Sequence, residues 1–208
     1  MKDNKISQAV IKRLPRYLRY LDELKKKNVE RISSNELSAL VGYTASQIRQ
    51  DFNNFGGFGQ QGYGYNVIGL HSEISAILGL NRDYRMVIVG AGNLGQAIAN
   101  YTYFYKQGFL VMAMFDINPK LIGIQINGIE IMDTEKLPQY LEEKEIEIGI
   151  ICTNKSSAQR VADILCQAGV KGIWNFAPTD LEVSEGTALE NVHLSDSLHS
   201  LSYHIVRK

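Results

Sequence analysis

The feature that most constrains this chain is the hexapeptide Gly90-Ala91-Gly92-Asn93-Leu94-Gly95. Met86-Val87-Ile88-Val89, a short apolar run rich in β-branched residues, comes before it. Gln96-Ala97-Ile98-Ala99-Asn100-Tyr101, which reads as helix, follows. Strand, glycine turn and helix in that order are the context of a dinucleotide fingerprint. Gly90 allows the tight turn, Gly92 lets backbone approach a pyrophosphate, and Gly95 lets the helix pack close to the strand. The helix N-terminus then faces the phosphates. A second apolar run, residues 110–115, ends in Asp116, twenty-one residues beyond Gly95. A carboxylate there suits a ribose 2′-hydroxyl and repels a 2′-phosphate, which favours NAD(H) over NADP(H). The alternative is a Rossmann-like layer that holds no dinucleotide.

Beyond residue 86 strand and helix patterns alternate, which implies a parallel sheet. Asn118-Pro119 makes a turn, and residues 122–131 read as a loop or hairpin around Gly128. Thr134 is placed to cap a helix through Leu137 and Leu141. Residues 146–151 form a strand ending at Cys152-Thr153-Asn154, and Ser156 begins a helix that Gly169 ends. Gly172-Ile173-Trp174 is another strand, ending at Asn175-Phe176. Ligands of open α/β sheets lie outside the carboxyl ends of the strands. The candidate cofactor-binding residues are therefore the 90–95 loop with Asp116, Ile117, Thr153, Asn154, Asn175 and Phe176. Val192-His193-Leu194 reads as an edge strand, and Ser195 as the cap of a helix containing Leu198, Leu201 and Ile205. Only a few turns long, that helix is marginal alone and must pack on something.

The first 80 residues follow a different pattern. Residues 6–27 read as a helix with Ile6, Val10, Leu14, Tyr17, Leu18, Leu21 and Leu24 on one side, kinked or restarted at Pro15. Ser33-Ser34-Asn35-Glu36 is a capping box whose helix ends at Gly42, and Thr44-Ala45-Ser46-Gln47 opens a second helix through Ile48-Arg49-Gln50-Asp51-Phe52. Two short helices around a glycine turn form a helix-turn-helix, with the second helix toward base edges. Five glycines then alternate with aromatics and two glutamines over residues 55–65, which reads as a β-wing. Residues 66–80 form a further helix ending near Gly79, and the polar stretch 81–85 joins the two parts. The expected domains are 1–81, a winged helix; 82–190, a Rossmann-like doubly wound sheet; and 191–208, the closing helix.

Charge supports that division. The net charge is zero, yet residues 1–80 carry 11 Lys and Arg against 7 Asp and Glu, while the remainder is acidic. A basic front on an acidic rear hints at a polyanionic partner for the front. No apolar run is long enough to span a bilayer, and the first residues lead into no signal-peptide core. Two cysteines make no disulfide framework, which fits a reducing cytosol, and no cysteine/histidine pattern suggests a metal site.

An arginine-bearing first helix comes first, then Ser-Ser-x-x-Leu, Gln47-Ile48-Arg49-x-Asp51, the wing Phe55-Gly56-x-x-Gly59-x-x-Gly62-x-Gly64-Tyr65, the 90–95 loop and a short C-terminal helix. With these features in this order, the chain resembles the Rex family of bacterial redox-sensing transcriptional repressors over nearly its whole length. The resemblance implies a homodimer that binds double-stranded operator DNA through two winged helices and senses the NADH/NAD⁺ ratio. In that family NADH closes the Rossmann domains, the paired recognition helices no longer fit their half-sites, and repression is lifted, and the resemblance implies the same here. It also implies that the C-terminal helix is exchanged between subunits. Ser46, Gln47, Arg49 and Gln50 then fall on the recognition helix, and Gln60, Gln61, Gly62 and Tyr63 on a wing that enters the minor groove. Tyr101 matches a tyrosine near the nicotinamide. Arg13 and Asp196 match a pair joining the first helix to the partner's swapped helix, an interaction of about 0–1 kcal/mol if exposed. The sequence departs from the pattern where many members have Lys or Arg at Gln50, Gln60 and Gln61, each missing cation flattening the salt dependence by about 0.9 log unit. Asn154 stands where many have proline.

Two rivals remain at this level. A NAD-dependent dehydrogenase needs an acid/base group at the nicotinamide. None of His71, His193, His199 and His204 lies at a strand end of the sheet, His199 and His204 read as surface residues, and no substrate domain fits in the remaining length. A CoA-binding-like regulator without DNA contact is the second, weakly opposed by Asp116. Cys152, at a strand end, reads as a small buried hydrophobe rather than a redox switch.

Overall fold

The computed structural model describes residues 6–55, 59–60 and 63–207, and the chain divides into two compact units, residues 1–82 and 83–208. In the first unit α1 (Gln8–Lys26) starts at Ser7, whose hydroxyl accepts from the Val10 N–H. Pro15 does not interrupt it, because Val10, Leu14, Tyr17, Leu18 and Leu21 bury a stripe that continues on both sides of the proline. A fully buried side chain of that size is worth about 1.5–3 kcal/mol, so the stripe outweighs one missing backbone hydrogen bond.

After β1 (Arg31–Ile32) comes α2 (Ser34–Val41). Its capping box is complete: Glu36 N–H donates to Ser33 Oγ and Ser33 N–H to Glu36 Oε2 at 2.7 Å. The latter bond holds the Glu36 carboxyl below its ordinary range. Gly42, left-handed at φ 73°, ends α2, and Thr44 caps α3 (Ala45–Asn53) by accepting from the Gln47 N–H. β2 (Gly59–Gln60) and β3 (Gly64–Asn66) follow, and α4 (Val67–Ile77) closes the unit. The three strands form one antiparallel sheet in the order β1-β3-β2. Helix-turn-helix plus this ribbon is a winged helix. Its core gathers α1, α2, α3 and α4 around Leu14, Tyr17, Leu37, Ile48, Phe52 and Ile74.

In the second unit β4 (Tyr84–Val89) leads to α5 (Asn93–Ala99) and α6 (Thr102–Lys106), then to β5 (Phe109–Asp116). β6 (Gln125–Ile126) and β7 (Ile129–Asp133) make a hairpin across Asn127 and Gly128, both at positive φ. A 3₁₀ turn, Thr134–Lys136, leads to α7 (Leu137–Glu143), β8 (Ile148–Ile151) and α8 (Lys155–Gln167). β9 (Gly172–Asn175), β10 (Ala188–Asn191) and α9 (Leu194–Val206) complete it. Among the described residues the sheet order is β10-β9-β8-β4-β5-β7-β6, parallel except for β6. Taken in chain order, the parallel strands run 3-2-1-4-5-6, the dinucleotide-type order, and reverse between β4 and β8.

Several local expectations are corrected. The edge strand is residues 188–191, not 192–194; its apolar residues, Ala188 and Leu189, are adjacent rather than alternating, so no period-two pattern marks it. Asp133, not Thr134, accepts the Glu135 N–H at the turn before α7. α8 starts at Lys155, one residue before Ser156, and Asn154 caps it, accepting from the Ser157 N–H at 3.1 Å and the Ser156 hydroxyl at 2.9 Å. His193, without a side-chain cap bond, precedes α9, and Ser195 lies inside the helix. Before α7 and α8, adjacent polar residues compete for one cap, and backbone geometry rather than residue type selects among them.

Candidate functional site

The 90–95 loop sits at the point where the sheet order reverses. Gly90 N–H donates to the Phe115 carbonyl and Cys152 N–H to the Val89 carbonyl, each at 2.8 Å, so the loop is tied to the ends of β5 and β8. Gly90 lies at φ +101°, and a Cβ there would stand 2.5 Å from the Cys152 carbonyl oxygen. At Gly95 a Cβ would collide with the Gly90 carbonyl oxygen. Both positions admit only glycine for reasons internal to the fold. Gly92 differs: a Cβ there meets nothing within 4 Å. Its bare backbone faces open space at the start of α5, where first-turn N–H groups lack intrahelical partners.

Asp116 does two jobs at the end of β5. Its Oδ2 accepts from the Ala91 N–H at 2.6 Å, and its Oδ1 from the Asn118 N–H at 2.8 Å. The carboxylate thus ties down the glycine loop while keeping lone pairs for a ligand hydroxyl. Replacing it with alanine is expected to weaken dinucleotide binding by about 1–3 kcal/mol, the cost of stranding buried polar partners. Calorimetric titration with NADH checks this; an unchanged dissociation constant removes Asp116 from the site.

A cavity of about 510 Å³ opens over the ends of β4, β5 and β8, within the ordinary size of small-molecule sites. Gly90, Gly92, Asp116, Ile117, Thr153 and Asn154 line it. So do Thr134, Glu135, Leu137, Ser157, Arg160, Val161 and Ile164, none of which the sequence marked as a ligand contact. A signal for part of them existed: 157, 160, 161 and 164 fall at i, i+3, i+4 and i+7 on α8, one helix face. The lining offers bare backbone to phosphates, a carboxylate to a ribose, and Ile117, Leu137, Val161 and Ile164 to an apolar base. These residues fit a nucleotide. Cys152 also lines the wall, and burial pushes its thiol up to about 12, which leaves it protonated and unreactive.

The other candidate residues lie elsewhere. Ala91 is fully buried, and its carbonyl accepts from Gln96 Nε2 at 2.7 Å. Asn93, Leu94 and Gly95 form the first turn of α5. Tyr101, 54% exposed, marks the break between α5 and α6. Its ring meets Phe104 edge-on at 4.7 Å, Phe104 meets Trp174 at 5.7 Å, and Trp174 meets Phe176 at 4.6 Å. One aromatic row therefore joins Tyr101 to Phe176. Asn175 is buried within the fold: its Nδ2 donates to the Thr179 carbonyl and to Asn191 Oδ1, and its Oδ1 accepts from the Ala177 N–H. The histidines stand apart from the cavity lining. His71 pairs with Asp22 in the first unit, His193 reaches Asp180, and His199 and His204 are exposed on α9. Among the described residues no group of three or more His, Cys, Asp or Glu could hold a metal ion.

On α3, Ile48, Asp51 and Phe52 face inward, while Ser46, Arg49 and Gln50 are exposed and Gln47 is half-buried. Arg49 Nη1 donates to Ser34 Oγ at 2.8 Å, bracing the guanidinium against α2. Tyr63 is 70% exposed, and its carbonyl accepts from Arg31 Nη1 at 3.2 Å. Gln60 lies on β2; Gln61 and Gly62 lie outside the described residues. Arg13, expected to meet Asp196 of a second subunit, has a partner within its own unit. Its Nε donates to Asp51 Oδ2 at 2.7 Å and its Nη2 to Asp51 Oδ1 at 2.6 Å. Asp196 is exposed in the first turn of α9.

A winged helix and a Rossmann unit with an open glycine loop, on one chain, define a ligand-responsive DNA-binding regulator. A family model described as a putative DNA-binding protein N-terminus matches residues 5–53, and one described as a CoA binding domain matches residues 81–179. Redox-sensing transcriptional repressors Rex from Clostridium tetani and Clostridium botulinum are 62% and 63% identical, over 97% of this chain and 96% of theirs. The chain belongs to the Rex family of redox-sensing transcriptional repressors. Among solved structures, the Rex-family repressor RSP in complex with β-NAD⁺ and operator DNA matches at 58% identity with TM-score 0.92, over 98% of this chain and 94% of that one. RSP in complex with β-NADH matches at 55% and 0.90, over 98% and 95%. Among the described residues no helix is long and apolar enough to cross a membrane.

Proposed function

We propose that this chain represses transcription by reading the cytoplasmic NADH/NAD⁺ ratio, holding operator DNA when NADH is scarce and releasing it when NADH binds. The observation that carries the reading is the solved relative RSP, matched nearly end to end, with β-NAD⁺ and operator DNA together, and with β-NADH in a separate structure. In this chain, the residues lining the cavity take the adenosine and pyrophosphate, and the row from Tyr101 to Phe176 flanks the nicotinamide. Ser46, Gln47, Arg49 and Gln50 read the major groove, and the wing with Gln60, Gln61, Gly62 and Tyr63 reaches the minor groove. The dinucleotide is a sensed ligand, not a redox cofactor of catalysis.

The working form is a homodimer. α9 has no buried residue and exposes Leu194, Leu198, Leu201, Tyr203, Ile205 and Val206. Thirteen residues of helix with no packing are marginal, and a second copy supplies the missing surface through exchange of α9. Asp196 of the exchanged helix then reaches Arg13. Asp51 engages Nε and Nη2, so Nη1 remains for that contact. Differential binding of NADH sets which domain arrangement prevails.

The test is fluorescence anisotropy on a palindromic operator, titrated with NADH at several fixed NAD⁺ concentrations. Saturating NADH is expected to weaken operator binding at least tenfold, about 1.4 kcal/mol. NAD⁺ should counter it by competition, and coenzyme A should do nothing. Equal operator affinity with and without NADH overturns the reading, and an effect of coenzyme A in place of NADH reassigns the ligand.

A further inference from the structure

Asp51 is 2% exposed on α3, whose outer face carries Ser46, Arg49 and Gln50, and it is held by three hydrogen bonds. Arg13 supplies two, and the fully buried Tyr17 hydroxyl donates the third to Oδ2 at 2.7 Å. Burial, reinforced by the bond to Asp51, pushes the Tyr17 hydroxyl well above its usual range, so it stays a donor. The same ring meets Tyr43, in the turn before α3, edge-on at 5.7 Å and Phe52 at 5.1 Å; Phe52 in turn meets Tyr65 of β3 at 5.1 Å. Arg13 and Arg16 both lie over the Tyr43 ring, at 5.9 and 5.2 Å. One cluster therefore ties α1 to the turn, to α3 and to the wing strand.

A nine-residue helix has little rigidity of its own, and Ile48 and Phe52, being apolar, set its depth but tolerate sliding and rotation. Fork-on-carboxylate geometry does not tolerate it. We propose that Asp51 and Tyr17 are positioning residues that set the rotation of α3 through Arg13, and so decide how sharply the protein discriminates its operator from other DNA. This rests on the reading of α3 as the recognition helix. An apolar trio of similar volume would hold the helices together as firmly, because a buried ion pair adds little net stability over well-packed apolar groups. What the ion pair adds is orientation.

The measurement is the ratio of dissociation constants for random and operator duplexes at fixed salt, without NADH, for the full-length protein. Asp51→Asn keeps the shape and removes the charge; Tyr17→Phe removes one donor and is the milder change should the first variant fail to fold. We expect the ratio to fall at least tenfold in Asp51→Asn and several-fold in Tyr17→Phe. Random-duplex affinity, salt slope and NADH affinity should match the parent. A role confined to stability lowers the melting temperature and leaves the ratio of the folded protein unchanged; that result overturns the proposal. Failure of the parent protein to prefer operator overturns the recognition-helix reading instead, so the two are told apart by one control.

Discussion

Gly95→Ala is expected to abolish high-affinity NADH binding and to destabilise residues 83–208. The added methyl would fall on the Gly90 carbonyl oxygen, which is backbone and cannot swing aside. Gly90 is itself fixed, through its N–H to Phe115 and through close approach to the Cys152 carbonyl. Either α5 lifts off β4 or the loop opens. Overpacking of this kind costs about 1–3 kcal/mol and occasionally more, and a rigid backbone obstacle puts it at the upper end. A hundredfold loss of NADH affinity, about 2.7 kcal/mol, follows because the loop, the start of α5 and Asp116 move together. Calorimetry with NADH and a thermal melt read the two effects. Gly92→Ala is the contrast: with nothing within 4 Å of the new methyl, the fold should melt unchanged while NADH affinity falls. A Gly95→Ala protein that binds NADH within twofold of the parent would show that the loop adapts and that the close approach is incidental.

Asp51→Ala should destabilise the winged helix by about 3 kcal/mol. Removing one partner of a buried ion pair costs about 3–5 kcal/mol, since the survivor stays behind unpaired. The lower figure applies because Arg13 is 17% exposed and can turn to water, whereas the Tyr17 hydroxyl is fully buried and cannot. Urea denaturation followed by a probe in the first unit measures it. A loss below about 1 kcal/mol would mean the guanidinium is already well solvated and the pair holds little, the usual result for surface pairs.

These two sites differ in how visible they are before folding. The glycine loop follows an apolar run and precedes a helix, and every member of the motif lies within ten residues of β4, so local spacing carries it. The capping box at Ser33 and Glu36 and the left-handed end at Gly42 are equally local. Asp51 is not: its partners are 34 and 38 residues away on α1. It reads as one more charge on a polar helix, and Arg13 as a solvated cation or an intersubunit contact. Asn175 likewise sits at a strand end where ligands lie, yet all three of its bonds go to the loop behind β9 and to β10. Arg160 and Glu135 reach the cavity only because α8 and the turn after β7 converge there.

By itself the sequence determined the two-part organisation into a winged helix and a dinucleotide-type sheet, because periodicity, caps and glycine turns act over a few residues. Its motif order also carried the family. Only the tertiary structure decided which polar groups at those landmarks belong to the fold and which face a ligand. Asp116 serves both, tethering Ala91 while lining the cavity; Gly95 serves the fold and Gly92 the open space. The physical reason is that a buried polar group must find its partner wherever the packed chain brings one, and strand and helix periodicities do not encode that distance.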